Sequence, residues 1–391
     1  IEFIAATGQS LSIGGGGSEN AEGEEIFTAS PINPHHALMF NTGTRGAESS
    51  VLNEANLTDF VPAFEQFNGS NQAETQGSGM MRKLHADHMN NSEKLKTYLY
   101  RSHGQGGAYI AELMKGSGWN MYENGLKELR KAREIAQLYG RDIIVRAFTW
   151  TQGEQDRTGT PRAEYAANLN QLIDDYKTDW AAELPSTNPP IMCIIDQLSA
   201  ASTYVAGGVS LAQYDVFKDR NDVVISTPKY FMEYSATVHL KPKWYSILGE
   251  YQAKAYRELF HTGEGFAPVY PTSVNLTDRT INVIFNVPKP PLLFDTQTLP
   301  AAEDMGFEFY DDSGSTPAIE SVILTGDNSL QITLASAPVG ASKGLRYAYS
   351  GPGATNRSGA WGNLHDSDNT PSETDSSIQL HNWCLTFDEV L

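Results

Sequence analysis

Hydrophobic and polar positions follow two different rhythms along this chain of 391 residues. In the first two thirds, short apolar runs alternate with helical repeats. Ile1–Ala6, Thr97–Arg101, Asp142–Thr149, Ile191–Asp196 and Val223–Ser226 are strand candidates, the third of them rich in Ile, Val and Phe. Met121–Tyr139 carries apolar residues at helical spacing and stops at Gly140, a residue suited to ending a helix. Arg162–Leu184 starts after Pro161 and keeps Tyr165, Leu169, Leu172, Ile173 and Tyr176 on one face. Pro242–Phe260 does the same with Trp244, Ile247, Leu248, Tyr251 and Tyr256. Apolar strands separated by amphipathic helices predict an α/β fold, a parallel sheet with helices on each side. Ser12–Lys96 shows few periodic segments. Loops of that length in a compact domain are usually functional or ordered by their neighbours.

The rhythm changes near His261–Pro271, beyond which no long helix is predicted. Short β-rich runs take over at Val274–Leu276, Ile281–Phe285, Phe307–Tyr310, Glu320–Leu324, Leu330–Leu334, Leu345–Tyr349 and Ile378–Leu385, with Gly, Pro, Asn and Asp clustered between them. This pattern predicts a smaller β-sandwich domain over residues 265–391, following an α/β domain over residues 1–264.

Composition narrows the possible partners. Hydrophobic residues at 40% and charged residues at 19% describe globular material rather than a disordered chain. The longest apolar runs, around Arg141–Thr149 and Pro189–Leu198, fall far short of the roughly 20 residues a membrane helix needs. Lys and Arg number 28 against 47 Asp and Glu, a net charge of −19. That balance disfavours nucleic acid and anionic membranes, yet leaves a neutral sugar polymer open. Cys193 and Cys384 are too few for a disulfide framework, and Cys193, inside an apolar run, reads as a small core residue.

Four polar segments could carry chemistry. Ser10 follows the first strand and a glycine, and a serine at the carboxyl end of a strand stands where open α/β sheets build their sites; it is also an ordinary turn or capping residue. Arg101-Ser102-His103-Gly104-Gln105-Gly106-Gly107-Ala108 follows a strand and opens a helix, so its glycine N–H groups could face an anion or simply make the turn. Trp150-Thr151-Gln152-Gly153-Glu154-Gln155-Asp156 follows the strongest strand, with an amide able to donate to an oxyanion and acids able to hold an imidazole; it is equally a polar loop. His239 precedes the helix that starts near Pro242 and could reach the sheet edge as a base, or serve as a core or surface histidine. His85-Ala86-Asp87-His88 has helical spacing for a metal but no third ligand, so neither a metal nor another cofactor is expected.

Taken in order, Gly8-Gln9-Ser10, Gly106-Gly107, Gln152-Gly153-Glu154 and Val238-His239-Leu240 resemble the four blocks of the SGNH hydrolase family, and most closely its sialate O-acetylesterase and acetyl xylan esterase branch. The resemblance covers roughly residues 1–262. It implies a three-layer, flavodoxin-like sandwich and serine acyl transfer on an acetylated carbohydrate or polysaccharide. Ser10 would be the nucleophile and His239 the general base. The N–H groups of Ser10 and Gly107, with the Gln152 amide, would form the oxyanion hole. Gln152 stands where many members carry asparagine. Most members also have aspartate three residues before the histidine, where this chain has Ala236. Some related acetyl xylan esterases use the glutamate of the third block instead, which points to Glu154, ahead of Asp156 and Glu233. Ala236 also motivates a rival reading, a non-catalytic glycan-binding protein on a decayed hydrolase fold. The C-terminal aromatics Phe285, Phe294, Phe307, Phe309, Tyr310, Tyr347, Tyr349, Trp361 and Trp383 read as core or as sugar-stacking surfaces. An esterase of apolar acyl chains ranks last, because the loops after Ser10 offer no apolar lid. Arg346–Trp361, Gly362–Asp366 and His381–Cys384 resemble the tail of some modular esterases, phage tail-associated ones included, and with the acidic composition this places the expected setting outside the cytoplasm, secreted or on a virion.

Overall fold

A computed structural model describes residues 1–15, 28–46, 50–65, 74–199, 208–235, 238–350 and 359–391. The first part is built on one sheet of seven strands: β1 (Glu2–Gly8), β2 (Ala37–Phe40), β3 (Phe60–Pro62), β4 (Tyr98–Gly104), β5 (Ala147–Thr151), β6 (Met192–Gln197) and β7 (Val223–Pro228). Their order is β3-β2-β4-β1-β5-β6-β7, parallel throughout except for the edge strand β3. The helices are α1 (Gln76–Asn90), α2 (Ile110–Leu113), α3 (Met121–Leu138), α4 (Arg162–Glu183), α5 (Gly208–Asp219) and α6 (Pro242–Arg257).

Period-two alternation along the strands divides the core into two layers. Phe3, Ala5, Leu99, Phe148, Trp150, Cys193, Ile195 and Ile225 face the side covered by α3, α4 and α5. Ile4, Ala6, Tyr98, Tyr100, Ala147, Ile194 and Val224 face the side covered by α1 and by Ala253, Ala255 and Tyr256 of α6. This is the three-layer arrangement that the alternation of strand and helix predicts. The apolar face foreseen for α4 is the buried one, with Trp180 extending it.

Three departures from the sequence reading have physical causes. The strand predicted over Asp142–Thr149 starts only at Ala147. Ahead of it, Asn188 bonds both the N–H and the carbonyl of Val145, replacing ladder bonds with side-chain ones. α1 lies inside the stretch read as loop. Its glycines hide its packing signal: a Cβ on Gly79 would sit 1.8 Å from the Ser246 carbonyl oxygen of α6, and one on Gly249 would sit 1.9 Å from that of Gln76. The two helices meet backbone to backbone, so neither needs a wide apolar stripe there. Ile378–Leu385 is not a strand. Its backbone groups bond to separate partners, Leu380 to Thr370, Cys384 to Leu364 and Leu385 to Val269, and the strand comes later, at Phe387–Val390.

The C-terminal part is antiparallel. β8 (Tyr270–Thr277), β9 (Thr280–Asn286), β12 (Ile319–Gly326) and β13 (Ser329–Leu334) form a sheet in the order β12-β13-β9-β8. β11 (Phe307–Asp311), β14 (Lys343–Tyr347) and β16 (Phe387–Val390) form another, and β10 (Leu293–Phe294) pairs with β15 (Leu364–His365). Ile281, Val283 and Phe285 are buried while Asn282 and Ile284 point outward, the alternation of a sheet with one wet face. The last residues return to the α/β part. Trp383 stacks on Phe231 at 5.0 Å, the Gln197 amide bonds both the carbonyl and the N–H of Thr386 at 2.8 Å, and Glu250 accepts from the Thr374 N–H at 2.7 Å.

Candidate active site

β1 delivers Ser10. Gly8 ends the strand at φ +142°, and a Cβ there would lie 2.1 Å from the Thr151 carbonyl oxygen, so only glycine lets β1 and β5 run this close into the turn. The turn is then pinned from several sides. Ser12 Oγ donates to the Gln9 carbonyl at 2.7 Å, Ser102 Oγ donates to the Ser12 carbonyl at 2.6 Å, and Tyr245 of α6 donates to the Gly15 carbonyl at 2.6 Å. Gln9 Oε1 accepts from the N–H groups of Gly153 and Gln155, tying this turn to the loop after β5.

The decisive distance spans 229 positions of sequence. His239 Nε2 lies 3.0 Å from Ser10 Oγ. Ser10 is buried and His239 half-buried. Burial pulls the His239 pKa below the ordinary histidine value, with the negative charge of Glu154 acting the other way. A ring held neutral near pH 7 is able to accept a proton from a serine hydroxyl.

The remaining candidates are placed as follows. Gly106 and Gly107 form the turn after β4, Gly107 at φ +70°, and a Cβ on Gly106 would come within 3.9 Å of Ser10 Cβ. Among the described residues, the N–H groups of Ser10, Gly106 and Gly107 donate to no protein acceptor. The Gln152 amide is differently occupied: Nε2 donates to the Ala108 carbonyl at 3.1 Å and to Asp156 Oδ2, while Oε1 accepts from Tyr165. Both of its donors hold the loop together. Asp156 is committed as well, accepting from the Ile110 N–H and from Thr160. Glu233 pairs with Lys241 at 3.2 Å. Ala236 and Thr237 lie outside the described residues.

Glu154 is 2% exposed, and its two oxygens differ. Oε1 meets Lys229 Nζ at 2.9 Å, whereas Oε2 has no hydrogen-bond partner among the described residues. Lys229 follows β7, is fully buried, and also meets Asp196 Oδ2 of β6 at 2.6 Å. Sequence patterns do not reveal Lys229 or Asp196, because a lone lysine after an apolar strand reads as a solvated residue. The signal that could have found them is position. Asp196 stands near the end of β6, beside the strand that leads to Glu154, and Lys229 follows β7, one strand further out.

His85 and His88, the helical pair considered for a metal, have other partners. His85 Nε2 lies 3.3 Å from the Lys96 carbonyl, and the two nitrogens of His88 meet Glu93 and Tyr98. Among the described residues no group of three His, Cys, Asp or Glu could hold a metal ion, and no helix is long and apolar enough to cross a membrane. A cavity of about 890 Å³ lined by Glu2, His36, Lys94, Lys96, Arg141 and Arg146 opens at the amino ends of the strands, away from Ser10.

A parallel sheet with a serine and a histidine meeting beyond its carboxyl ends defines an α/β protein whose candidate site lies at the usual place for that fold. The sequence matches the family described as carbohydrate esterase, sialic acid-specific acetylesterase over residues 3–258, and the chain belongs to that family. Among solved structures it is similar in fold to XAC1771, a carbohydrate acetylesterase from Xanthomonas citri, with a TM-score of 0.65 at 14% identity over 99% of this chain and 80% of that one. A protein from Arabidopsis thaliana aligns at 19% identity over 66% of this chain and 98% of its own, with a TM-score of 0.47. No curated protein matches the sequence.

Proposed function

We propose that this protein is a carbohydrate O-acetylesterase that removes acetyl groups by serine acyl transfer. The observation that carries the reading is the 3.0 Å contact between His239 Nε2 and Ser10 Oγ. Ser10 Oγ attacks the acetyl carbonyl carbon as His239 Nε2 takes its proton, and the carbonyl oxygen becomes an oxyanion. The N–H groups of Ser10, Gly106 and Gly107, which donate to no acceptor among the described residues, are the donors available to it. Collapse breaks the bond to the sugar oxygen, which leaves with the proton from His239. Water then attacks the acetyl-serine, again giving its proton to His239. Acetate departs, and the proton returns to Ser10. Glu154 supplies the negative charge that favours the imidazolium formed in each step. The Gln152 amide supports the loop, and its part in the oxyanion hole would require it to release Ala108 or Asp156.

The substrate we infer is an acetylated sugar or polysaccharide, in keeping with the family and with a net charge of −19 that favours no polyanion. The test is acetate release from a small acetyl ester and from acetylated xylan, by the intact protein and by Ser10→Ala. Release that disappears in the variant supports the reading. Background release by the intact protein on a range of acetylated glycans would leave a glycan-binding protein without catalysis.

A further inference from the structure

A lysine with no exposed surface sits under the candidate site, between two carboxylates from neighbouring strands. Lys229 Nζ is 2.9 Å from Glu154 Oε1 and 2.6 Å from Asp196 Oδ2. Asp196 is anchored in turn by Thr151, whose Oγ1 donates to Oδ1 at 2.5 Å, and Thr151 Oγ1 accepts from the Gln76 amide of α1 at 3.0 Å. The chain of contacts thus runs from α1 through the ends of β5, β6 and β7 to Glu154. It stops at Glu154 Oε2, the oxygen without a hydrogen-bond partner among the described residues.

We propose that Lys229 is a positioning residue for His239: it holds Glu154 by one oxygen and so fixes the buried negative charge that acts on the imidazole, with Asp196 fixing Lys229 in place. The assignment rests on the reading of Ser10 and His239 as nucleophile and base. Two carboxylates against one ammonium leave one negative charge in a dry site. A buried ionic group of that kind is costly unless something balances it, and the imidazolium formed during acyl transfer is the balance. Burial alone would pull Lys229 toward the neutral amine, but Asp196 and Glu154 more than reverse this and keep it charged. Burial pushes Asp196 up, and Lys229 opposes that. The other titratable groups facing the cluster are Tyr165 of α4, Tyr234 beyond β7 and Tyr245 of α6, all raised by burial and therefore neutral at ordinary pH. His239, lowered below the ordinary histidine value by burial, is left as the group whose charge changes during acyl transfer.

The test has a kinetic arm and an arm free of substrate. Lys229→Met should lower kcat on a small acetyl ester by about 10²–10³-fold with KM within about threefold, and Glu154→Gln by about 10³–10⁴-fold. The double variant should be no slower than Glu154→Gln, because Lys229 acts through Glu154. A folded Lys229→Met with near-normal kcat, or losses that multiply in the double variant, would overturn the assignment. Should Lys229→Met not fold, the ¹⁵Nζ resonance of Lys229 in the intact protein decides. It should follow the His239 titration in the wild type and cease to do so in Glu154→Gln. A Lys229 signal indifferent to His239 in the wild type contradicts the proposal. Because that titration uses no ester, it judges Lys229 even if Ser10→Ala were to retain activity and the esterase reading were to fall.

Discussion

At the scale of single residues, the hydroxyl of Ser10 has one ring nitrogen within reach, and in the proposed reaction the charge of that ring decides when the hydroxyl can be activated. Only the neutral ring accepts a proton. Burial lowers the His239 pKa below the usual value of 6.5, so the acid limb of the pH–rate profile should fall below pH 6.5. Glu154 acts against that lowering. Glu154→Gln should therefore move the acid limb to still lower pH while reducing kcat. A profile of kcat/KM between pH 4 and 8 for both proteins checks this, and an upward move of the limb would show that Glu154 does not act on His239. Ser10, Glu154 and His239 are legible in the sequence as candidates because each follows or precedes an unmistakable element: a strand ending in glycine, the strongest strand, and a helix opened by proline. Lys229 is illegible for the opposite reason. Its proposed role depends on carboxylates 33 and 75 positions away, near the end of β6 and beyond β5. Gly106 and Gly107 lie side by side in the sequence, and distance to Ser10 is what distinguishes them.

At the scale of elements, the parallel strands and the helices α3, α4 and α6 follow directly from hydrophobic spacing; α3 and α4 each bury one regular face, whereas α6 is buried on all sides from Trp244 to Tyr256. α1 does not, because its contact with α6 is made by backbone at Gly79 and Gly249 rather than by apolar side chains. That contact brings Gln76 to Thr151 and α6 to the turn after Ser10, so it bears on the site as well as on the fold. Gly249→Ala places a methyl group where the Gln76 carbonyl stands. It should cost about 1–3 kcal/mol, read as a fall of several degrees in Tm. An unchanged Tm would mean that the two helices have room to move apart.

At the scale of the whole molecule, the change of rhythm near His261 marks the passage from parallel to antiparallel sheets, as the sequence pattern predicts. What the pattern does not convey is the return of the chain. A segment with an apolar, strand-like composition, Ile378–Leu385, spends its bonds on several neighbours and places Trp383 against Phe231. Buried residues from the α/β part and from the antiparallel sheets form one continuous core. We therefore expect the intact chain to unfold in a single calorimetric transition, and Trp383→Ala to lower that transition as a whole, at a cost of about 3–5 kcal/mol. Two separate transitions, with only one displaced by the substitution, would instead mean parts that fold independently. All three scales converge on one atom, Ser10 Oγ, held at the mouth of the sheet beside a neutral imidazole. The most direct test is rapid quenching of the protein with a small acetyl ester, followed by peptide mass spectrometry. An acetyl group on the peptide containing Ser10, absent in Ser10→Ala, is the predicted result. Acetate release without any acetylation of Ser10 would contradict the account.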